Sequence, residues 1–404
     1  MISDGALSVQ SSAVLGRGTM PQSVLSKAIA LILLIVIGYG LKRKLADAAA
    51  VSTLRTLILT VALPATIFLS TVDIDTHLNL VLLPSFALGV NLSLMLVGVV
   101  LAKLLWRSHQ TAKARSLMLL FPSLAPGLTV YPFIEQFLGR SGLAWVALAD
   151  MGNKLFVLVG LYALAMYWCQ RETDWFKPEG AILESANRRG FGLAQLKTIG
   201  RFLITEPVNG AIVLGLLLAS LGIGTKDLPL AVVDCIQKLA LCSTPLILVY
   251  VGLSLNLKKL QLGTLMLVLV ARAGVGFLIS AAAIALLKPE SVEAIALFVS
   301  LPQASCSLWP LLHATVINQR SPSKSETSFF DVDFATALLA LSFPFSIMVL
   351  LIVFASGNFF YSPVHSSLVG MALLGVFGLL WAAKQVLRSG NSRLCSAIDP
   401  RTNS

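Results

Sequence analysis

Residues 121–132 read Phe121-Pro122-Ser123-Leu124-Ala125-Pro126-Gly127-Leu128-Thr129-Val130-Tyr131-Pro132. Three prolines and a glycine this close together forbid a continuous helix. Each proline removes an amide donor, and its ring clashes with the carbonyl four residues back. Yet the segment sits inside an apolar stretch, 114–138, long enough to cross a bilayer. Unwound backbone at that depth survives only where protein buries it or where it lines a cavity. A second stretch repeats the pattern: Ser300-Leu301-Pro302-Gln303-Ala304-Ser305-Cys306-Ser307-Leu308-Trp309-Pro310.

Working outward, the rest of the chain is membrane material. Of 404 residues, 56% are apolar and only 12% charged, about half the charged fraction of a soluble domain. Such a chain can neither coat a water-facing surface nor remain disordered. A crossing of ~30 Å needs about 20 apolar residues. Ten stretches meet this, near 24–41, 52–71, 79–105, 114–138, 142–168, 205–222, 229–255, 262–287, 292–316 and 326–354, and 367–387 makes an eleventh. The first is not a cleaved signal peptide, because Lys42, Arg43 and Lys44 follow its apolar run instead of preceding it.

The net charge of +11 suggests nucleic acid at first sight, but the basic residues are dispersed between apolar runs. With loops assigned alternately to two sides, 22 of the 30 Lys and Arg fall on one side and four on the other. The positive-inside bias makes the first side cytoplasmic, the N-terminus external and the C-terminus cytoplasmic. Trp106, Trp168 and Trp381 then lie near cytoplasmic ends and Trp145 near an outer end, which suits interfacial belts or buried packing equally.

The expected organisation is an external leader at 1–23, five helices in 24–169, a cytoplasmic loop at 170–204, five more helices in 205–354, and an extra transmembrane helix with a basic tail in 355–404. Five is odd, so the second set enters the bilayer from the opposite side and the halves form an inverted repeat. Prolines carry the repeat. Pro64 and Pro245 are 181 residues apart, Pro122 and Pro302 180, and Pro132 and Pro310 178. The fold class is therefore all-α and polytopic: two inverted five-helix repeats with broken, crossing helices 4 and 9, plus an eleventh C-terminal helix. Matching broken spans in two halves are the strongest sequence pointer to a transport site.

Several segments together resemble the auxin efflux carrier family of membrane transporters. They are Ile37-Gly38-Tyr39-Gly40-Leu41-Lys42-Arg43, Val61-Ala62-Leu63-Pro64-Ala65-Thr66-Ile67-Phe68, Glu206-Pro207, Pro245-Leu246-Ile247-Leu248-Val249-Tyr250-Val251-Gly252-Leu253-Ser254-Leu255 and Leu301-Pro302-Gln303. The resemblance implies a scaffold of spans 1, 2, 6 and 7 and a transport domain of spans 3–5 and 8–10, with the substrate at the crossing of spans 4 and 9. It also implies that a proline followed by an amide helps to hold a carboxylate. Pro302-Gln303 matches, whereas Pro122 is followed by Ser123, and Gly127 and Pro132 depart from the family's Gly-x-Pro. The expected function is efflux of small organic anions, auxin-like or dicarboxylate-like, by alternating access. A sodium-coupled bile-acid-type symporter of the same architecture and a non-transporting membrane receptor are the alternatives.

Polar residues within the spans give the candidate site. Asp150 and Lys154 are spaced i,i+4 on one helix face, with Asn153 beside them. Ionisable groups at this depth are expensive, so they are paired or functional. The expected substrate-binding set is Pro122, Ser123, Pro126, Gly127, Tyr131, Asp150, Asn153, Lys154, Pro302, Gln303 and Ser305. Asp234 and Lys238 read as a snorkelling pair, and Asp331 and Asp333 as either an acidic partner for Asp150 across the repeat or a solvated helix start. Tyr131 and Trp309 either stack on a ligand or fill the core, and Glu135 and Arg272 take no assigned role. The five Cys and four His show no metal or disulfide spacing, and there is no P-loop or Gly-x-Ser-x-Gly. No enzyme activity, metal or cofactor is expected. The expected partners are a small organic anion and the bilayer, with no nucleic acid and a homodimer left open.

Overall fold

The computed structural model describes residues 22–45, 47–73, 81–106, 111–175, 207–254, 262–320 and 328–398. Most of the expected leader and of the loop at 170–204 lie outside the described residues. The described chain is helical and contains no strand.

Span 1 is α1 (Gln22–Leu41). Span 2 is α2 (Ala48–Leu57), a π-helical turn (Ile58–Ala62) and α3 (Leu63–Val72), and span 3 is α4 (Leu82–Trp106). Span 4 divides into α5 (Ala112–Leu120), a single turn α6 (Pro126–Thr129) and the start of α7 (Tyr131–Leu155). Gly139, inside α7, has φ 71° and ψ −157°, a conformation open only to glycine at low cost. There span 4 ends and span 5 begins, continuing through a π-helical turn (Phe156–Gly160) into α8 (Leu161–Trp175). Span 6 is α9 (Pro207–Ser220), and span 7 is α10 (Leu230–Leu241) with α11 (Ser243–Ser254). Span 8 is α12 (Leu262–Leu287). Span 9 is α13 (Val292–Ser300) and α14 (Trp309–Arg320), span 10 is α15 (Val332–Ala355), and the last is α16 (Pro363–Ile398).

Seven of the described helical segments are long and apolar enough to cross a membrane. The segments that fall short have local reasons. Spans 4 and 9 are broken by their prolines. Span 6 shows 14 helical residues from Pro207, and span 1 counts only from Ile29. The outward surface is apolar, with Leu96, Val100, Leu217, Leu286 and Leu379 all exposed. A water-soluble protein does not display such a surface; lipid tails solvate it. The chain is an integral, multi-pass membrane protein.

The two broken spans begin alike. Thr111 caps α5 by accepting a hydrogen bond from the Ala114 amide (3.2 Å), and Ser291 caps α13 through the Ala294 amide (3.2 Å). Each capped helix is nine residues long and ends just before a proline break. The caps are 180 residues apart, the same spacing as Pro122 and Pro302.

Helices meet through small residues. α1 crosses α11 at Gly38 and Gly252, where an added Cβ would lie 2.2 Å from the Val249 carbonyl oxygen or 2.1 Å from that of Ile35. Close backbone approach replaces the missing hydrophobic drive between helices in lipid. α16 docks on α12 in the same manner, at Gly370 and Gly274. We therefore expect Gly252→Leu to force α1 and α11 apart, at a cost of about 1–3 kcal/mol or more from overpacking. The thermal midpoint of the detergent-solubilised protein would fall clearly, whereas Gly40→Ala, with open space around its Cβ position, would leave it unchanged.

Candidate functional site

Breaking a helix leaves main-chain carbonyls and amides without their i,i+4 partners, and in an apolar interior each needs a substitute. The first substitutes come from the other break. The Ala125 amide donates to the Ser305 carbonyl (2.9 Å), the Ser307 amide to Ser123 Oγ (3.0 Å) and the Ser305 amide to Thr129 Oγ1 (3.4 Å). The two interruptions thus meet and are hydrogen-bonded to each other.

The second substitutes come from neighbouring spans. Arg272 of α12 is buried, and its guanidinium donates to three carbonyls: Phe121 (3.0 Å), Ser123 (2.9 Å) and Ala304 (2.6 Å). One cation therefore sits at the carbonyl-rich ends of both first half-helices, where the helix dipole is negative. Asn91 of α4 donates to the Pro122 carbonyl (2.8 Å) and to Asn153 Oδ1 (3.0 Å). Asn153 in turn bridges to the Leu124 amide (3.3 Å) and carbonyl (3.0 Å). Neither Asn91 nor Arg272 is in the expected site set. One signal was present for both: they are 181 residues apart, like Pro64 and Pro245.

Beside the junction lies a cavity of about 410 Å³, a size suited to a small organic molecule. Seven of the eleven expected residues line it: Pro126, Gly127, Tyr131, Asp150, Asn153, Lys154 and Ser305. The other four, Pro122, Ser123, Pro302 and Gln303, are buried behind its wall. Gln303 turns its amide to the Ala273 carbonyl (3.3 Å), and Ser123 is consumed by the Leu120 carbonyl (2.7 Å) and the Ser307 amide. Their geometry holds the breaks together. Trp309 also reaches the cavity, and so does Arg55 of α2, which a reading by charge groups with the basic loop before it.

The carboxylate of Asp150 is fully engaged. Asn153 Nδ2 donates to Oδ1 (2.7 Å) and the Tyr131 hydroxyl to Oδ2 (3.1 Å), while Lys154 Nζ stands 3.7 Å from Oδ2. Lys154 also donates to Asn209 Oδ1 of α9 (3.0 Å), which ties span 5 to span 6. The other acidic candidates lie elsewhere. Asp331 caps α15 through the Phe334 amide (2.8 Å), with Asp333 in the first turn. The Asp234–Lys238 pair, at 2.7 Å, is 55% and 73% exposed. Among the described residues no group of three or more His, Cys, Asp or Glu could hold a metal ion.

Apart from the junction itself, the described residues that line the cavity lie on one side of it. Arg55 and Leu59, Val208, and Thr336 and Leu339 come from the starts of spans 2, 6 and 10, whereas Val157, Tyr250 and Leu311 come from the later parts of spans 5, 7 and 9. All these ends adjoin the basic loops. On the opposite side described residues pack across the spans. The Thr244 hydroxyl donates to Glu135 (2.5 Å), Phe133 and Phe137 stack on Phe354, and Lys27 lies over the Phe137 ring.

A family model described as membrane transport protein matches residues 23–309. The match takes in spans 1 to 8, both breaks and every residue of the expected site. No curated protein sequence matches the chain.

Arg272 yields a sharp expectation. Buried carbonyls left without a donor cost about 1–3 kcal/mol each. Arg272→Met should therefore destabilise the protein by more than about 3 kcal/mol, visible as loss of folded material in detergent. Lys238→Met, which breaks only an exposed pair worth about 0–1 kcal/mol, should barely shift the thermal midpoint.

Proposed function

The chain belongs to the auxin efflux carrier family of membrane transport proteins, and we propose that it is a secondary transporter of small organic anions that binds its substrate at the junction of the two broken spans and works by alternating access. The observation that carries this reading is the one-sided cavity at that junction, with the Asp150–Lys154 pair in its wall.

Physical chemistry supports an anion. The later helix of span 9 starts at the break, so the positive end of its dipole, which favours negative charge, lies beside the cavity. Two cations, Arg55 and Lys154, face one carboxylate, Asp150, across the cavity wall. The lining is otherwise mostly apolar, so these charges act through a lower dielectric than water and are felt more strongly.

Alternating access follows from the same asymmetry. If the basic loops are cytoplasmic, the cavity is open to the cytoplasm and the contacts of Glu135, Phe133 and Phe137 form the closed outer gate. Spans 3–5 and 8–10, joined by the junction itself, would move as one body against spans 1, 2, 6 and 7. The Lys154–Asn209 bond (3.0 Å) and the Thr244–Glu135 bond (2.5 Å) both cross that boundary. Both would have to break and re-form as the site changes sides. The expected repeat supplies the reason for two states of similar energy, since exchanging the roles of the halves converts one into the other.

The test is flux into proteoliposomes. A panel of radiolabelled organic acids should include at least one with saturable uptake, measured with and without sodium and across a pH gradient to fix the coupling. Asp150→Asn should cut that uptake by at least about tenfold, the kinetic equivalent of 1.4 kcal/mol. Asp234→Asn, at the exposed pair, should leave it unchanged. Lack of saturable flux for every acid, or equal flux in the Asp150 variant, would count against the proposal.

A further inference from the structure

We propose that the eleventh span is a positioning element of the junction: α16 backs the one turn of α12 that holds both breaks, and Gly370 sets the distance between the two helices. The inference rests on reading the junction as the transport site, and goes further by giving a role to a helix that lies beyond residue 309, where the family match ends.

The turn runs from Arg272 to Gly276. Arg272 donates to carbonyls of both breaks, Phe121 and Ser123 in the first and Ala304 in the second. The Ala273 carbonyl accepts from Gln303 Nε2 (3.3 Å). Gly276 lies so close to the second break that an added Cβ would stand 2.7 Å from Gln303 Nε2 and 3.2 Å from the Pro302 carbonyl oxygen. At about 100° per residue, Arg272 and Gly276 share one face of α12, and Gly274, two residues from each, lies on the opposite face. That opposite face is where α16 docks. A Cβ on Gly274 would stand 3.0 Å from the Gly370 carbonyl oxygen, and one on Gly370 would stand 2.8 Å from that of Gly274. A single turn of α12 is thus gripped between the breaks and the eleventh span.

α16 is fastened to α12 on both sides of this crossing. Near its start, Ser366 donates to the Phe360 carbonyl (2.6 Å), and Phe360 stacks on Phe277 of α12 at 4.9 Å. Toward its other end, Lys384 Nζ donates to Thr264 Oγ1 of α12. Its far side, with Leu368, Met371, Val376 and Leu379, is exposed and suits lipid. Hydrocarbon exerts no hydrophobic pressure on a pair of helices, so close packing and a few hydrogen bonds must keep α12 against the breaks. Without that backing, Arg272 would follow α12 away from its three carbonyls, and buried polar groups would be left unpaired. Fastened above and below the crossing, α16 cannot step back from a larger residue at position 370 without α12 moving too. The eleventh span therefore travels with spans 3–5 and 8–10.

The experiment uses the full-length chain in native membranes, with its native cysteines replaced and a protease site placed in the 176–206 segment. One version carries Ala125→Cys and Ser305→Cys, and the rate at which mild oxidation couples its halves reads the approach of the two breaks. A second carries Asp73→Cys and Thr225→Cys, whose native side chains are hydrogen-bonded (2.9 Å), and reports on the spans that α16 does not back. Gly370→Leu should slow coupling of the first pair by at least about tenfold and Gly370→Ala by about threefold, because both overpack the crossing. Gly375→Leu, on the same helix with open space around its Cβ position, should leave that rate unchanged. The second pair should couple at one rate in every background. Unchanged coupling of the first pair in both Gly370 variants would overturn the proposal. So would equal slowing of the two pairs, which marks a general loosening of the fold. Neither rate requires a substrate. Absence of saturable flux would therefore sink the transport reading and leave the positioning role of α16 standing, whereas unchanged coupling of the first pair would do the reverse.

Discussion

Main-chain polar groups cannot be left unpaired in the middle of a bilayer, and this one constraint organises the molecule. Two helices are interrupted by proline at mid-span, and each interruption strips its neighbours of their helical partners. The protein answers by bringing the two interruptions together, so that Ala125 and Ser305 bond directly, and by aiming side chains at the groups that remain. Arg272 serves both half-helices at once, and Asn91 and Asn153 serve the first. The junction can be polar because its polarity is consumed internally. What is left over beside it, a cavity with a few directed charges, is available for a ligand.

The proposed mechanism draws on the same economy. The charged residues divide into those whose bonding is complete and those whose bonding is not. Asp150, Lys154 and Arg272 are engaged with protein partners, whereas the buried Nε of Arg55 has no hydrogen-bond partner among the described residues. A transport site needs both kinds: fixed groups that keep its shape, and an open one that distinguishes loaded from empty. Polar ties such as Lys154–Asn209 and Thr244–Glu135 cross from one group of spans to the other, which suits bonds that must exchange during a cycle.

Much of this was legible in the sequence. Proline is a local signal, so Pro122 and Pro302 marked both interruptions without any knowledge of the fold. The i,i+4 spacing of Asp150 and Lys154 correctly anticipated their proximity, because a helix converts sequence separation into distance. Tertiary partnership has no such local signature. Arg272 sits in an apolar run with nothing beside it to announce three distant carbonyls, and Asn91 is an ordinary small amide in a lipid-exposed helix. Only their common spacing with the prolines hinted at matching duties. Arg55 was obscured for a different reason: a count of charge by side groups it with the basic loop at Lys42, Arg43 and Lys44, while its neighbours in space line a cavity. Chemical type alone does not place Gln303, whose amide suggests a ligand contact and whose Nε2 donates to the Ala273 carbonyl.

The claim on which the rest depends is that the interruptions touch, and cysteine cross-linking tests it most directly. All five native cysteines would be replaced, Ala125→Cys and Ser305→Cys introduced, and a protease site placed in the 176–206 segment to separate the halves after cleavage. Main chains one hydrogen bond apart hold their Cα atoms at roughly 5–6 Å, within the reach of a disulfide. Oxidation in native membranes should therefore keep the cleaved halves together on a denaturing gel until reductant is added. Halves that separate fully after oxidation, while an Asp73→Cys and Thr225→Cys control pair, whose native side chains are hydrogen-bonded (2.9 Å), still couples them, would show the interruptions apart and contradict the account.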